Sequence, residues 1–369
     1  MTARVNPPFR ADHVGSLLRP EPLLDARERH ARGELDDDRL RAIEDEAIRY
    51  AVNLQEQVGL RAVTDGEYRR AYWHVDFMLG FDGIEEMPQA ETVGFQDSDF
   101  KPPVMEVVDK VRHPGSIMGR DFDFLKSVTS QTPKICIPSP SVVHFRGGRT
   151  AVSEEVYPDM DEFWADLSAA YNAEIMDLAG RGCSYLQLDD VIMAYLCDQN
   201  LRDSVADRGE DPDELLRTYR DAINAALKGR PESMTVTMHT CRGNFQSAWM
   251  AQGGYEPVAE VMFNEIDIDA YFMEWDTDRA GGFEPLRHLP NNKTVVLGLV
   301  TSKFPELETR ESLLSRIEEA SQYVPVERLC LSPQCGFAST YHGNRVTEQD
   351  QTAKLRLVVD VAEEVWGGV

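Results

Sequence analysis

Eight short β-rich runs, most of them separated by stretches of helical periodicity, predict an α/β chain folded as a (β/α)8 TIM barrel. Two further observations point the same way. The runs are of the kind that suits a parallel sheet covered on both faces. Polar residues collect at their C-terminal ends, where barrels of this type carry their sites.

After a short N-terminal extension, the first run is FRADHVG, near residues 9–15. Leu40, Ile43, Ala47, Ala51, Leu54 and Val58 then recur every three or four residues and form one apolar helix face. The second run is RAVTDGE at 61–67. Residues 80–133, with GFDG, several prolines and the β-like VMEVVDKV, read as an insertion after the second strand that includes a hairpin. The acidic run Asp36–Asp38 reads as a solvated helix start. KICIP at 134–138 and YLQLDD at 185–190 are the third and fourth runs, with Phe163, Leu167, Tyr171, Ile175 and Leu178 as a helix face between them. Leu216, Tyr219, Ile223 and Leu227 precede the fifth run, MTVTMHT at 234–240. IDAYFMEW at 268–275, TVVLGLV at 294–300 and RLCLSP at 328–333 complete the eight. Leu313, Ile317 and Ala320 lie between the last two, and Leu355, Val358, Val361 and Val365 follow. No repeat and no Pro/Gly/Ser-rich linker marks a boundary, so residues 1–369 are expected to form a single barrel domain.

Composition narrows the function class. With 42% hydrophobic and 28% charged residues the chain reads as soluble and globular. A net charge of −26 and a pI near 4.7 argue against nucleic acid or an anionic membrane as partner. No apolar stretch approaches the roughly 20 residues of a membrane span, and the N-terminus lacks a signal-peptide core. Six scattered cysteines are unlike a disulfide framework and predict a reducing, cytoplasmic setting. A homo-oligomer is compatible with the sequence.

The strand ends carry the chemistry. His239 and Cys241 end the fifth run, Glu274 ends the sixth, and Cys335 follows the eighth. Imidazole, two thiolates and a carboxylate make a full ligand set for Zn²⁺. Residues i and i+2 of a strand share a face, so His239 and Cys241 can grip one ion together. A thiolate-rich zinc suits the holding of a thiol substrate. His13 and Ser16 at the first strand end, Glu67 at the second and Asp189 at the fourth are candidate substrate-binding residues, and Asp189 and Lys303 are candidate catalytic residues. Each has a plainer reading. His239 and the thiols can be packed core groups, Asp189 a helix N-cap, Asp65 and Glu67 turn residues around Gly66, and Lys303 a solvated loop lysine.

The segments HVGSLLRP, GLRAVTDGEYRR, SYLQLDD, MHTC, IDAYFMEWD and SPQCG, taken in order, resemble the C-terminal catalytic domain of cobalamin-independent methionine synthases, in its short single-domain form. The resemblance implies zinc held by His239, Cys241, Glu274 and Cys335. It also implies homocysteine near Ser16, Glu67 and Asp189, and a methyltransferase that alkylates its thiol. Zinc lowers the pKa of a coordinated thiol, and the carboxylates of Glu67 and Asp189 pair with the substrate ammonium. The methyl donor is methyltetrahydrofolate, a methylcorrinoid or another carrier.

The chain departs from the family pattern in three places. It has no room for the second, N-terminal barrel of full-length members. IPSPSVVHFRGG replaces the Gly-Pro-Val-Thr segment on the folate side. Thr301-Ser302-Lys303 replaces an Asp-x-His after the seventh strand, leaving Lys303 as the available proton donor. Three alternatives stand beside this reading. One is an epoxyalkane:coenzyme M type of thiol alkylation, with Arg69 or Arg70 toward a sulfonate. Another is the metal-free decarboxylation of related barrels. The third is a structural zinc in a binding protein.

Overall fold

The computed structural model describes residues 4–87 and 103–369. Six strands form one parallel sheet in ring order: Leu329–Pro333, Thr294–Val300, Ala270–Glu274, Thr235–Thr240, Tyr185–Asp190 and Ile135–Pro138. Thr132–Pro133, just before the last of these, pairs in parallel with Ala62–Val63. On the other edge Ala11 bridges Leu331 in parallel, with Asp12 N donating to Leu331 O and Leu331 N to Arg10 O. The eight strand positions thus follow one another around a closed TIM barrel. Its seam, between the first and second strands, is held by the His13 ring against Ala62 O at 3.3 Å and by Leu17 N donating to Gly66 O.

The first two strands are shorter than the sequence suggests. After Val63 the backbone leaves the sheet: Thr64 Oγ1 donates to Gly15 O at 2.6 Å, and Glu67 sits in the left-handed region at φ 61°. The polar end of the run becomes a turn that carries side chains over the barrel mouth.

Side-chain parity sorts the barrel into two layers. Leu186, Leu188, Val236, Met238, Tyr271, Met273, Val295, Leu297, Leu329 and Leu331 belong to the large core shared with the helices. Residues of opposite parity, Val14, Phe272, Val296 and Cys330, form a separate small cluster inside the barrel. Below them lies a buried polar floor, in which Lys134 reaches Asp12 at 3.2 Å and Tyr185 donates to Asp12 at 2.8 Å. Tyr185–Asp190 and Ala270–Glu274 are buried throughout and Thr235–Thr240 all but its first residue, yet their inward residues need not be apolar. Strand alternation places Tyr185, Gln187 and Asp189 in one inward column, and Thr237, His239 and Cys241 in the next.

The helices follow the sequence periodicities. Asp37–Val58 buries Ala47, Ile48, Ala51, Val52 and Val58; Asp36 caps it by accepting from Arg39 N. Met160–Gly180 buries Phe163, Leu167, Tyr171, Ile175 and Leu178. Pro212–Ala226, Arg310–Ser321 and Glu348–Trp366 complete the long outer helices facing the later strands. The insertion after the second strand holds an antiparallel hairpin, Asp82–Met87 with Val104–Arg112, then the helix Gly119–Val128. The part of the insertion at 88–102 lies outside the described residues. Among the described residues no helix is long and apolar enough to cross a membrane.

Candidate metal centre

His239, Cys241, Glu274 and Cys335 converge at the C-terminal mouth of the barrel. One ligand atom of each lies within 4.8 Å of the others, and all four residues are buried. Around tetrahedral zinc, bonds of about 2.0–2.3 Å put ligand atoms roughly 3.3–3.8 Å apart, so small side-chain adjustments suffice. Inward parity delivers His239 and Cys241 from one strand, and the adjacent strand delivers Glu274. Cys335 arrives from the loop after Leu329–Pro333.

The chemistry of the set fits a soft divalent ion. Among the described residues the His239 ring, only 2% exposed, has no hydrogen-bond partner outside the ligand set, where the Cys335 thiol faces it. A packed core histidine would ordinarily be satisfied. Cys241 and Cys335 are free thiols with sulfurs 3.4 Å apart, and this contact holds the Cys335 thiol well below the usual range. Glu274 is held in place from outside: Oε1 accepts from Arg242 N and Oε2 from Arg279, both at 2.9 Å. Such outer partners fix the orientation of a ligating carboxylate.

Above these residues a cavity is lined by Ser16, Glu67, Asp189, Tyr195, Asn244 and the two cysteines, among others. Ser16 Oγ lies 3.4 Å from Ala338 N, at the approach of the Cys335 loop. Asp189 accepts from Gln187 Nε2 at 2.6 Å, and burial pushes its carboxyl up to about 6, against His239 and Gln187. Burial lifts Glu67 to about 7, with Arg70 opposing and the Asp189 charge adding. Glu67 Oε1 is 3.4 Å from Arg70, while Oε2 has no partner. Two buried carboxyls beside a ligand cavity are short of positive charge.

Several plainer readings give way here. Asp190, not Asp189, is the residue that accepts from the Met193 backbone and from Ser139 and Ser141, so the helix-capping role lies one position on. Lys303 is 1% exposed, and its Nζ has no hydrogen-bond partner. Its charge helps to hold Glu274 and Cys335 in their ionised forms. His13 does not line the cavity. Its ring faces Ala62 O, and burial with the Lys134 charge pushes it down to about 4. Arg69 is spent on Glu44, Asp45 and Asp121 and does not line the cavity.

The sequence reading missed the shell that ties these loops together. Arg19 donates to the carbonyls of Ala338, Thr340, Glu67 and Arg70, joining the first, second and eighth loops. Asn244 Nδ2 donates to Gly336 O, joining the fifth to the eighth. Arg19 lies within HVGSLLRP, and Asn244 lies three residues beyond MHTC.

Comparison with known proteins places this geometry in context. The family described as "Cobalamin-independent synthase, Catalytic domain" matches residues 11–364. The uncharacterized protein YxjG of Bacillus subtilis is 46% identical over 98% of this chain and 96% of its own. A 5-methyltetrahydropteroyltriglutamate–homocysteine methyltransferase of Bacillus velezensis is 21% identical over 95% of this chain, which spans 42% of that enzyme's length. A solved structure from Listeria monocytogenes, described as a candidate vitamin-B12-independent methionine synthase, superposes with a TM-score of 0.80 at 37% identity. It covers 99% of this chain and 100% of that one.

Proposed function

The chain belongs to the cobalamin-independent synthase catalytic-domain family, and from that premise we propose that it is a zinc-dependent methyltransferase alkylating the thiol of homocysteine. The carrying observation is the convergence of His239, Cys241, Glu274 and Cys335 around a histidine with no other partner, beneath a cavity holding two carboxyls. Zinc bound there would lower the pKa of the incoming thiol and hold its sulfur nucleophilic.

The chain's own residues do the remaining work. Glu67 and Asp189 accept the substrate ammonium, which returns both carboxyls to the ionised state and fixes the sulfur over the ligand set. Ser16 lines the same cavity, beside the loop that carries Cys335. Arg279 and Arg242 N hold Glu274 beside His239 and the two cysteines, where it would be one of the four residues holding the zinc. Burial of the site excludes water from competing at the alkyl carbon. The sulfur lone pair forms the new S–C bond as the carbon–carrier bond breaks and its electron pair leaves with the carrier. When the carrier is an amine, a proton must reach that nitrogen; Lys303 is assigned as its source, directly or through water.

The test is metal analysis of protein kept reduced and free of chelator, then titration of the cobalt-substituted form with homocysteine and with coenzyme M. One zinc per chain and a thiolate-to-cobalt band for homocysteine alone are expected. A band for coenzyme M alone moves the assignment to epoxide opening. The absence of any bound metal overturns the proposal.

A further inference from the structure

Arg146 is a cation without a counter-charge at the wall of the thiol cavity. It follows the short helix Val142–Phe145, in the IPSPSVVHFRGG stretch where the chain leaves the family pattern. Among the described residues its guanidinium makes no ion pair and donates no hydrogen bond, and its NH1 is sealed from solvent. Burial lowers its pKa, so the fold holds the charge at a cost. Of the other arginines around the site, Arg19 is engaged on four carbonyls, Arg70 on Glu67 and Trp73 O, and Arg279 on Glu274 and Asp276, while Arg242 has its guanidinium over the Tyr255 ring and lines neither cavity.

Its position is also specific. Arg146 and His74 line both the thiol cavity and a second cavity of about 250 Å³, whose walls include Met105, Val142 and Val143. Glu106 lines the second cavity as well but is not within ion-pair distance of Arg146. His74 is kept neutral, pushed down to about 3 by burial and by the Arg146 charge, and its Nδ1 has no partner. The segment carrying Arg146 is held from behind: Arg208 donates to Phe145 O at 2.7 Å and its guanidinium lies over the Phe145 ring. Arg146 is therefore presented by a supported backbone at the junction of the two cavities. The carboxyl pair that suits the thiol's ammonium, Glu67 with Asp189, lines only the first cavity.

We propose that Arg146 is the anchor for an oxyanion, carboxylate or phosphoryl, carried by the second substrate, the alkyl donor, whose body occupies the second cavity. This rests on the thiol assignment made above for the first cavity. The planar fork of an arginine suits two-point binding of either anion, and binding there would orient the alkyl carbon relative to the sulfur. An anion on the donor would also restore neutrality to a half-buried charge that the described residues leave open.

The experiment compares cobalt-loaded wild type with Arg146→Met and Arg146→Lys, each with and without saturating homocysteine. Each is titrated calorimetrically with methylphosphonate and with propionate, as tetrahedral and planar probes. Wild type is expected to bind at least one probe while homocysteine is bound. Arg146→Met should weaken that binding about tenfold or more, with Arg146→Lys between the two. The probe preferred by wild type identifies the donor's anion. The homocysteine–cobalt band should be equal in all three proteins, and the Met variant should unfold no earlier than wild type. Equal probe affinity in wild type and Arg146→Met, or no probe binding by wild type, overturns the proposal. Loss of the homocysteine band in Arg146→Met also overturns it, since the anion would then belong to the thiol substrate. A missing homocysteine band in wild type counts against the thiol assignment instead, and the titrations without homocysteine still test Arg146.

Discussion

Glu67 shows what a single buried carboxyl at a cavity wall costs in stability. Its backbone is left-handed, its carboxyl is buried, and one oxygen has no partner. Burial raises its pKa from 4.5 to about 7, so between those values the native state keeps a proton that the unfolded chain has released. Stability therefore falls as pH rises through that window. Glu67→Gln removes the ionisation and is expected to raise the Tm at pH 8 by a few degrees. The same change should weaken homocysteine binding by about tenfold or more. In wild type that affinity should also decline below pH 7, and in Glu67→Gln the decline should begin only near pH 6, where Asp189 takes up its proton; an unshifted limb in the variant assigns the upper titration to another group. Lys303 gives a second residue-level prediction. Lys303→Met should lower kcat by about a hundredfold with an amine-type donor while the cobalt–thiol band persists. An unchanged kcat removes Lys303 from proton transfer.

At the scale of elements, the site depends on how closely the loops approach one another. A Cβ added to Gly336 would lie 1.9 Å from Ser16 Oγ, and one added to Gly15 would lie 2.6 Å from Cys136 Sγ and 3.3 Å from Glu67 Oε1. Gly336 O also receives Asn244 and Ser302, so this loop has little freedom to retreat. Gly336→Ala is expected to displace Ser16, to destabilise by about 1–3 kcal/mol in denaturant titration, and to raise the KM for the thiol more than it lowers kcat. A fully stable variant with an unaltered KM would show that the loop can shift without loss. The helices, by contrast, were legible in advance. Their apolar faces repeat at three or four residues because one stripe must meet the barrel, and Asp36 caps the helix start where an acidic run stood. The first two strands were less legible. RAVTDGE reads as one extended run, but the hydrogen bond from Thr64 to Gly15 and the turn at Glu67 end the sheet after Val63.

The whole molecule carries a net charge of −26. Self-repulsion of that size opposes compaction and is screened by salt. Raising NaCl from about 0.02 M to about 0.5 M is expected to raise the Tm by a few degrees, measured with metal content held constant. A Tm that falls with salt would mean that the surface ion pairs outweigh the repulsion. The candidate metal ligands themselves are spaced over nearly a hundred positions, from His239 to Cys335, and the barrel closes that distance without any local motif.

The sequence by itself determined the order of strands and helices, the candidate ligand set and the carboxylates, because each rests on local periodicity or on a residue type at a strand end. Only the tertiary structure decided which side chains face inward. It turned Asp189 to the cavity and Asp190 to a cap, buried Lys303, sent His13 to the barrel seam, engaged Arg69 elsewhere and left Arg146 unpaired among the described residues. The physical reason is that charge pairing and burial are set by neighbours distant in sequence, which appear only when the eight strands close into one ring.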